Sequence, residues 1–342
     1  MNKKYKNPIL DSRGELFGLA TLMIVYHHLG NRGIPGISAL PSVLGSVLDF
    51  IFAKAYIGVD IFIFLSAIGL CYSMERNTIS QFYANRFRRV CVPWFVIMVP
   101  VFIIEDILIC KEGILEFLLD TSTFRYWIDN DNTHTPWFVP YIVALYVLFP
   151  LIYKADSKTK HGSTSILLFG SIAINVFSNI YPNYIYSEFT NCFARLPIFL
   201  LGVLVSDPIK KIKDDINKKT FITIIIATFT IYIGWYFLNL PMGLDMLIGG
   251  LVAIGIIIFY AYGIKSKVSK WLSKVFIFVG SVSLEVYLIH TVILRVIDSA
   301  VVPNVWFSAQ YILLPLCSII IAKTVILLID KSTMMIKMKK TY

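Results

Sequence analysis

Residues 55–89 read AYIGVDIFIFLSAIGLCYSMERNTISQFYANRFRR. An apolar run of about 20 residues, enough to cross a bilayer as a helix, holds one carboxylate near its start, Asp60, and ends in a link carrying Arg76, Arg86, Arg88 and Arg89. The same cadence, an apolar run closed by a short basic link, recurs along the chain. It predicts about ten spans at roughly 15–30, 55–74, 91–110, 136–153, 164–182, 192–206, 220–238, 242–263, 275–298 and 308–330. The stretch 37–53 is only semi-apolar and reads as an interfacial helix or a re-entrant piece. The fold class is therefore all-α, a polytopic membrane helical bundle forming one integral domain over residues 1–342. Composition supports this: only 15% of the residues are charged, against about 25% in an ordinary soluble domain. Mean hydropathy is +0.73, so a polar surface cannot be assembled from this chain.

The formal net charge of +10 raises the question of a nucleic-acid partner. Its distribution argues against one, because the basic residues sit in the links. The N-terminus, Glu75–Arg89, Lys154–Lys160, Lys210–Lys219, Lys265–Lys274 and Lys331–Lys340 together hold about 24 Lys and Arg. The alternate links, near Arg32, Lys111–Arg125, Glu188, Pro241 and Pro303, hold about four. By the positive-inside rule both termini are expected in the cytoplasm, and an even number of spans agrees. Lys3, Lys4 and Lys6 precede the first apolar stretch, but no A-x-A-like cleavage site follows it, so that helix is expected to be retained. Cys71, Cys91, Cys110, Cys192 and Cys317 are scattered, with no spacing that supports a disulfide framework or a metal site.

A titratable group kept in hydrocarbon is costly and calls for a reason. With this topology the first span runs outward, which puts His27 and His28 roughly 20 Å along it at 1.5 Å per residue. Asp60 opens the second span from the outside, Glu285 lies near mid-depth of the ninth, and His290 lies in its outer half. His134 and Trp137 open the fourth span, and Arg195 opens the sixth. The long outer link, about 111–135, carries Asp120, Asp129, Asp131 and His134 and reads either as a cover over an outward-facing site or as a plain solvated loop. Any one of these residues can be explained as a helix-packing hydrogen bonder. Their convergence on one level suits a general acid or base in a low-dielectric pocket, since an imidazole is basic near pH 7. On the inner side Arg86, Arg88 and Arg89 read as positive-inside anchors that snorkel, or as a phosphate clamp built on bidentate guanidinium donors.

At these residues the chain resembles the acyltransferase 3 family of bacterial membrane acyltransferases, over nearly its whole length. Gly58–Ser66 (GVDIFIFLS) is similar to the family's second-span signature. Phe82–Pro93 (FYANRFRRVCVP), Pro136–Pro150 (PWFVPYIVALYVLFP), Phe193–Gly202 (FARLPIFLLG) and Ser283–His290 (SLEVYLIH) follow in the family's order. In the family's first-span motif an Arg precedes a His. Aligned through Gly18-Leu19-Ala20, His28 takes the His place and Phe17 stands where the Arg is expected. Arg13, four residues earlier on the same helical face, is positioned to supply the guanidinium one turn lower.

The resemblance implies acyl transfer, most often of acetyl from cytoplasmic acetyl-CoA, to a hydroxyl of an extracytoplasmic or lipid-linked polysaccharide in the bacterial plasma membrane. It implies His28 as catalytic, with its neighbour His27 open as the alternative, and Asp60, Glu285 and His290 as the polar groups around it. Asp60 or Glu285 would orient the ring as a triad carboxylate does. Arg13, Arg86 and Arg89 become donor-binding residues, and His134, Trp137 and Arg195 substrate-binding residues. No metal and no nucleic acid is expected, and the oligomeric state is unread. No Gly-x-Ser-x-Gly elbow is present, so no covalent serine intermediate is indicated.

The rival readings are a transporter or flippase that moves glycan units without chemistry, and an accessory subunit of a polysaccharide synthase. A transporter would favour inverted repeats with broken helices. No convincing repeat is visible, although Gly249, Gly250 and Gly255 mark a place where the eighth span could break.

Overall fold

The computed structural model describes residues 7–33, 40–111, 113–128, 136–180, 190–212, 216–238, 240–299 and 304–339. The principal helices are α1 (Arg13–Gly30), α2 (Ser42–Lys54), α3 (Gly58–Arg76), α4 (Ile79–Arg86), α5 (Val92–Phe102), α6 (Phe138–Thr159), α7 (Gly162–Ile180), α8 (Thr190–Leu204), α9 (Lys218–Phe237), α10 (Met242–Ile258), α11 (Lys270–Ser281), α12 (Ser283–Ser299) and α13 (Asn304–Lys339). Among the described residues there is no strand. The semi-apolar stretch is helix α2, which passes through a tight turn at Ala55–Ile57 straight into α3.

Among the described residues, seven helical stretches are long and apolar enough to cross a membrane, or eight if α11 and α12 form one bent span. The expected span 275–298 straddles α11 and α12; the other nine lie mainly on helical stretches, and two of these miss that standard. The Gly162–Phe177 stretch of α7 is shorter. Helix α1 carries Arg13, Glu15, His27 and His28, and it can hold them because it is sheathed by its neighbours. It packs against α2, α3, α11, α12 and α13. The outer helices do the reverse and present large side chains such as Phe169, Phe229 and Leu316 to the surroundings, each more than half exposed. Exposed apolar area on that scale marks a lipid-facing wall.

Two close helix contacts fix α1. A Cβ on Gly18 would stand 2.0 Å from the carbonyl oxygen of Phe276 in α11, and one on Gly280 would stand 2.3 Å from the carbonyl oxygen of Gly14. Only glycine lets the two backbones approach this closely. Helices α11 and α12 meet at a 73° bend around Val282. The carbonyl of Ser281, left free where α11 stops, accepts a hydrogen bond from Arg89 Nη2 at 3.4 Å.

Arg88 and Arg89 lie in a π-helical turn, Phe87–Cys91, between α4 and α5. The cause is Pro93 at the start of α5, which lacks an N–H and whose ring crowds the carbonyl four residues back. Arg89 in this turn reaches a cavity in the bundle, and Arg88 stays exposed outside it. In the long link, Ile114–Thr121 and Phe124–Ile128 are short helices. Asp120 is buried and paired with Arg125 at 2.7 Å, so it is committed to holding this link together. Asp129, Asp131 and His134 lie outside the described residues.

Candidate active site

The last turn of α1 and the middle of α12 bring two imidazoles together from 262 residues apart. His28 Nδ1 lies 2.8 Å from His290 Nε2, and the rings meet edge to edge and nearly parallel, with centroids 5.0 Å apart at 16°. His290 Nδ1 stands 2.9 Å from the carbonyl oxygen of Val286, one turn back in its own helix. That oxygen can only accept, so His290 Nδ1 carries the hydrogen. In a neutral ring its Nε2 then accepts, and the proton between the rings belongs to His28 Nδ1. The remaining atom is His28 Nε2, a lone pair with no hydrogen-bond partner among the described residues. His290 is fully buried, whereas His28 retains some exposure.

His27 is occupied differently. Its Nδ1 donates to the carbonyl of Phe52 at 3.1 Å, its Nε2 accepts from Asn31 Nδ2 at 3.3 Å, and its ring meets the Tyr56 ring edge-on at 5.6 Å. Both nitrogens are used: Nδ1 ties α1 to α2, and Nε2 bonds to Asn31 at the end of α1 itself.

Neither carboxylate that the sequence offered as an imidazole partner is bonded to His28. Asp60 is buried against Arg195, with Oδ1 to Nε 3.5 Å. The Arg195 guanidinium lies over the rings of Trp137 at 4.9 Å and Tyr56 at 5.4 Å, and its Nη1 reaches Met246 Sδ at 3.0 Å. Asp60, Trp137 and Arg195 are thus brought together as expected. Beside them Tyr141 keeps its buried hydroxyl without a hydrogen-bond partner among the described residues. Glu285 is buried with Oε2 unbonded among those residues, and its strongest charged neighbour is Arg89. It belongs to the arginine group.

That group surrounds a cavity of about 120 Å³ lined by Arg13, Arg86, Arg89, Phe17, Tyr146 and Ser283, among others. Arg13 lies over the Phe17 ring at 4.9 Å and fills the space beside Gly69, where a Cβ would come within 2.9 Å of its Nη2. Arg86 is held between the rings of Phe82 at 5.6 Å and Tyr146 at 5.7 Å and donates to Ser73 Oγ at 3.3 Å. Among the described residues none of the three arginines has a carboxylate within ion-pair distance. Three cations facing one cavity, with Glu285 the one carboxylate assigned to the group, leave an excess of positive charge that makes an anion site. The far wall of the same cavity includes Ile24 and Tyr287. These lie one turn before His28 and His290, and the Tyr287 and His290 rings are 5.8 Å apart.

Sequence reasoning passed over a second polar knot. Asp245, in the first turn of α10, accepts hydrogen bonds from Lys54, Tyr56 and Trp235 Nε1. The available signal was a carboxylate inside an apolar span, the same criterion that singled out Asp60. Tyr146 and Tyr287 were also missed, since an aromatic residue in a membrane helix carries no mark of lining a cavity.

The family model described as an acyltransferase domain, Acyl_transf_3, matches residues 18–330. No curated protein and no solved structure matches the chain. The match spans α1 through most of α13 and includes the histidine pair, Arg86, Arg89 and the Asp60–Arg195 pair. With the lipid-facing walls of the bundle, it places the chain in the acyltransferase 3 family as a multi-pass membrane acyltransferase.

Proposed function

We propose that the protein is an O-acetyltransferase of the bacterial plasma membrane, with both termini in the cytoplasm. It carries an acetyl group from cytoplasmic acetyl-CoA to a hydroxyl of an extracytoplasmic or lipid-linked polysaccharide. The observation that carries this reading is the free Nε2 of His28, left as a base by the His28–His290–Val286 chain, near the head of a cavity whose other end is lined by three unpaired arginines.

The chemistry follows from those atoms. Arg13, Arg86 and Arg89 hold the phosphates of the donor, with Arg13 acting where Phe17 replaces the family's arginine and Glu285 limiting the local excess of positive charge. The acceptor hydroxyl gives its proton to His28 Nε2 as its oxygen attacks the thioester carbonyl carbon, so a C–O bond forms and the carbonyl π electrons move to oxygen. When the tetrahedral species collapses, the C–S bond breaks and the departing thiolate takes the proton from His28, which leaves the O-acetyl ester and free thiol. His290 is a positioning residue that holds the productive tautomer, as the aspartate does in a Ser-His-Asp triad. His27 ties α1 to α2. Trp137 and Arg195, buttressed by Asp60, bind the acceptor, where an indole face and a guanidinium suit a sugar ring and its hydroxyls, and His134 is assigned to the acceptor by its place in the sequence alone.

The test is acetyl transfer from labelled acetyl-CoA by protein in liposomes. Thioester cleavage should require the glycan acceptor, and His28→Ala should lower the rate by about 10²–10⁴-fold, the usual contribution of a general base. Normal glycan O-acetylation by the His28→Ala protein at equal expression would overturn the assignment. Cleavage-free movement of glycan would instead support the transporter reading.

A further inference from the structure

A second cavity, about 400 Å³, opens on another face of α1, lined by Met23 where the arginine cavity is lined by Arg13, Phe17 and Ile24. Its walls are apolar side chains of α9 and α10, among them Ile225, Phe229 and Val252. Ile51 of α2 and Ile57 close it from the other side, and Met23 of α1 forms its floor. The slot exists because α9 stands away from the bundle, with α10 and the turn Phe259–Ile264 as its main neighbours. Its lining side chains that carry a polar group are Thr228, Tyr232 and Lys54. Lys54 stands at the rim, 4.5 Å over the Trp235 ring, and donates to Asp245. An ammonium has three N–H donors, so two remain for a further acceptor.

We propose that this slot holds the hydrocarbon chain of an anionic, lipid-linked glycan acceptor, with its charged headgroup at Lys54. This proposal rests on the acyl-transfer reading and names the class of acceptor for it.

Three observations support that occupant. The slot runs beside the apolar stretches of α9 and α10 that are long enough to cross a membrane, and its mainly apolar walls suit a hydrocarbon chain better than water or sugars. Its floor, Met23, lies one helical turn before His27 in α1, so a chain seated there delivers its headgroup to the level of the histidine pair. The rim combines a cation with indole and phenol rings, the chemistry that holds an anionic headgroup at an interface. The size falls within the ~300–1,000 Å³ of ready-formed ligand sites. The acyl donor is a poor rival occupant, because Arg13, Arg86 and Arg89 lie toward the opposite end of α1 and line the other cavity.

The first experiment compares KM for a lipid-linked acceptor with KM for a water-soluble oligosaccharide of the same sugars, using the full chain in liposomes. Ile225→Trp fills the slot and should raise the ratio of the two KM values about tenfold, ~1.4 kcal/mol of lost chain binding. Ile226→Trp, on a lipid-facing side chain outside the slot, should leave the ratio unchanged. An unchanged ratio for Ile225→Trp, or an altered preference for acyl-donor chain length, would overturn the proposal.

The second experiment needs no catalysis, so it separates this proposal from the acyl-transfer reading. The unmodified protein in phosphatidylcholine nanodiscs is photolabelled with a diazirine-bearing farnesyl phosphate. Labelling should concentrate on 51–57, 225–232 and 252–259 and should fall in Lys54→Gln. Labelling spread evenly over the lipid-facing helices would show only annular lipid and sink the proposal.

Discussion

Between His28 and His290 one hydrogen bond decides which nitrogen can act. Val286 fixes the proton on His290 Nδ1 at 2.9 Å, His290 fixes the proton on His28 Nδ1 at 2.8 Å, and only His28 Nε2 stays open. Removing the middle ring should therefore impair orientation and leave binding intact. His290→Ala is expected to lower kcat by about 10²-fold with KM little changed, less than the ~10⁴ seen when a triad aspartate is replaced. His290→Gln should recover part of that loss, because its amide oxygen can accept from His28 Nδ1. Equal losses in both variants would show that packing, not the hydrogen bond, is what matters. At His27 the expectation is opposite. His27→Phe forfeits bonds to Phe52 and Asn31, at about 1 kcal/mol each, and should appear as a lower Tm in detergent with kcat preserved. Arg86→Ala should raise the apparent KM for acetyl-CoA more than that for the acceptor, and a change confined to the acceptor would remove the phosphate-clamp role. The sequence placed His28 and His290 at one depth, because depth follows from counting residues along a span. It left the partner of His28 open between Asp60 and Glu285, because which faces of two helices meet depends on rotation about each axis. That rotation is set here by glycine contacts hundreds of residues away in sequence.

Those contacts act at the scale of the helix. Helix α1 is seated on α11 by Gly18 and Gly280, and the same seating turns His28 toward α12. Gly18→Ala would drive a methyl group into the Phe276 carbonyl and should cost about 1–3 kcal/mol, the penalty of overpacking, measured as a drop in Tm. Gly69→Ala tests a different function of the same residue type. Its Cβ would meet the Arg13 guanidinium, so it should raise KM for acetyl-CoA with little effect on stability. The link from Phe17 to Arg13 was readable in sequence as a spacing of four on one helical face. The π-helical turn that carries Arg89 to the cavity was not. Pro93 signals a disturbed helix but does not specify that the disturbance widens the preceding turn.

In the whole molecule the polar groups divide into an arginine cavity toward the start of α1 and a histidine level toward its end, joined by one helix. Charge alternation in the links made that division legible, and it carries a topology that can be checked directly. A reporter fused after Tyr342 should be active only in its cytoplasmic form, as should one fused at the N-terminus; an extracytoplasmic signal from either would reverse the proposed direction of transfer. The division also hid something. Lys54 and Asp245 meet between α2 and α10, yet 191 residues separate them in the chain, so the outer knot and the slot beneath it emerge only in three dimensions. The hydrogen-bonded line through the two imidazoles ends on Val286, a peptide oxygen that accepts a hydrogen bond but cannot release a proton. Among the described residues that line goes no further, so the proton lifted from the acceptor by His28 returns to the leaving sulfur, while the acetyl group itself is uncharged. The reaction is therefore electrically silent: a membrane voltage, worth ~2.3 kcal/mol per elementary charge per 100 mV, has nothing to push. Collapsing or inverting the potential across sealed vesicles at fixed pH should leave the transfer rate unchanged.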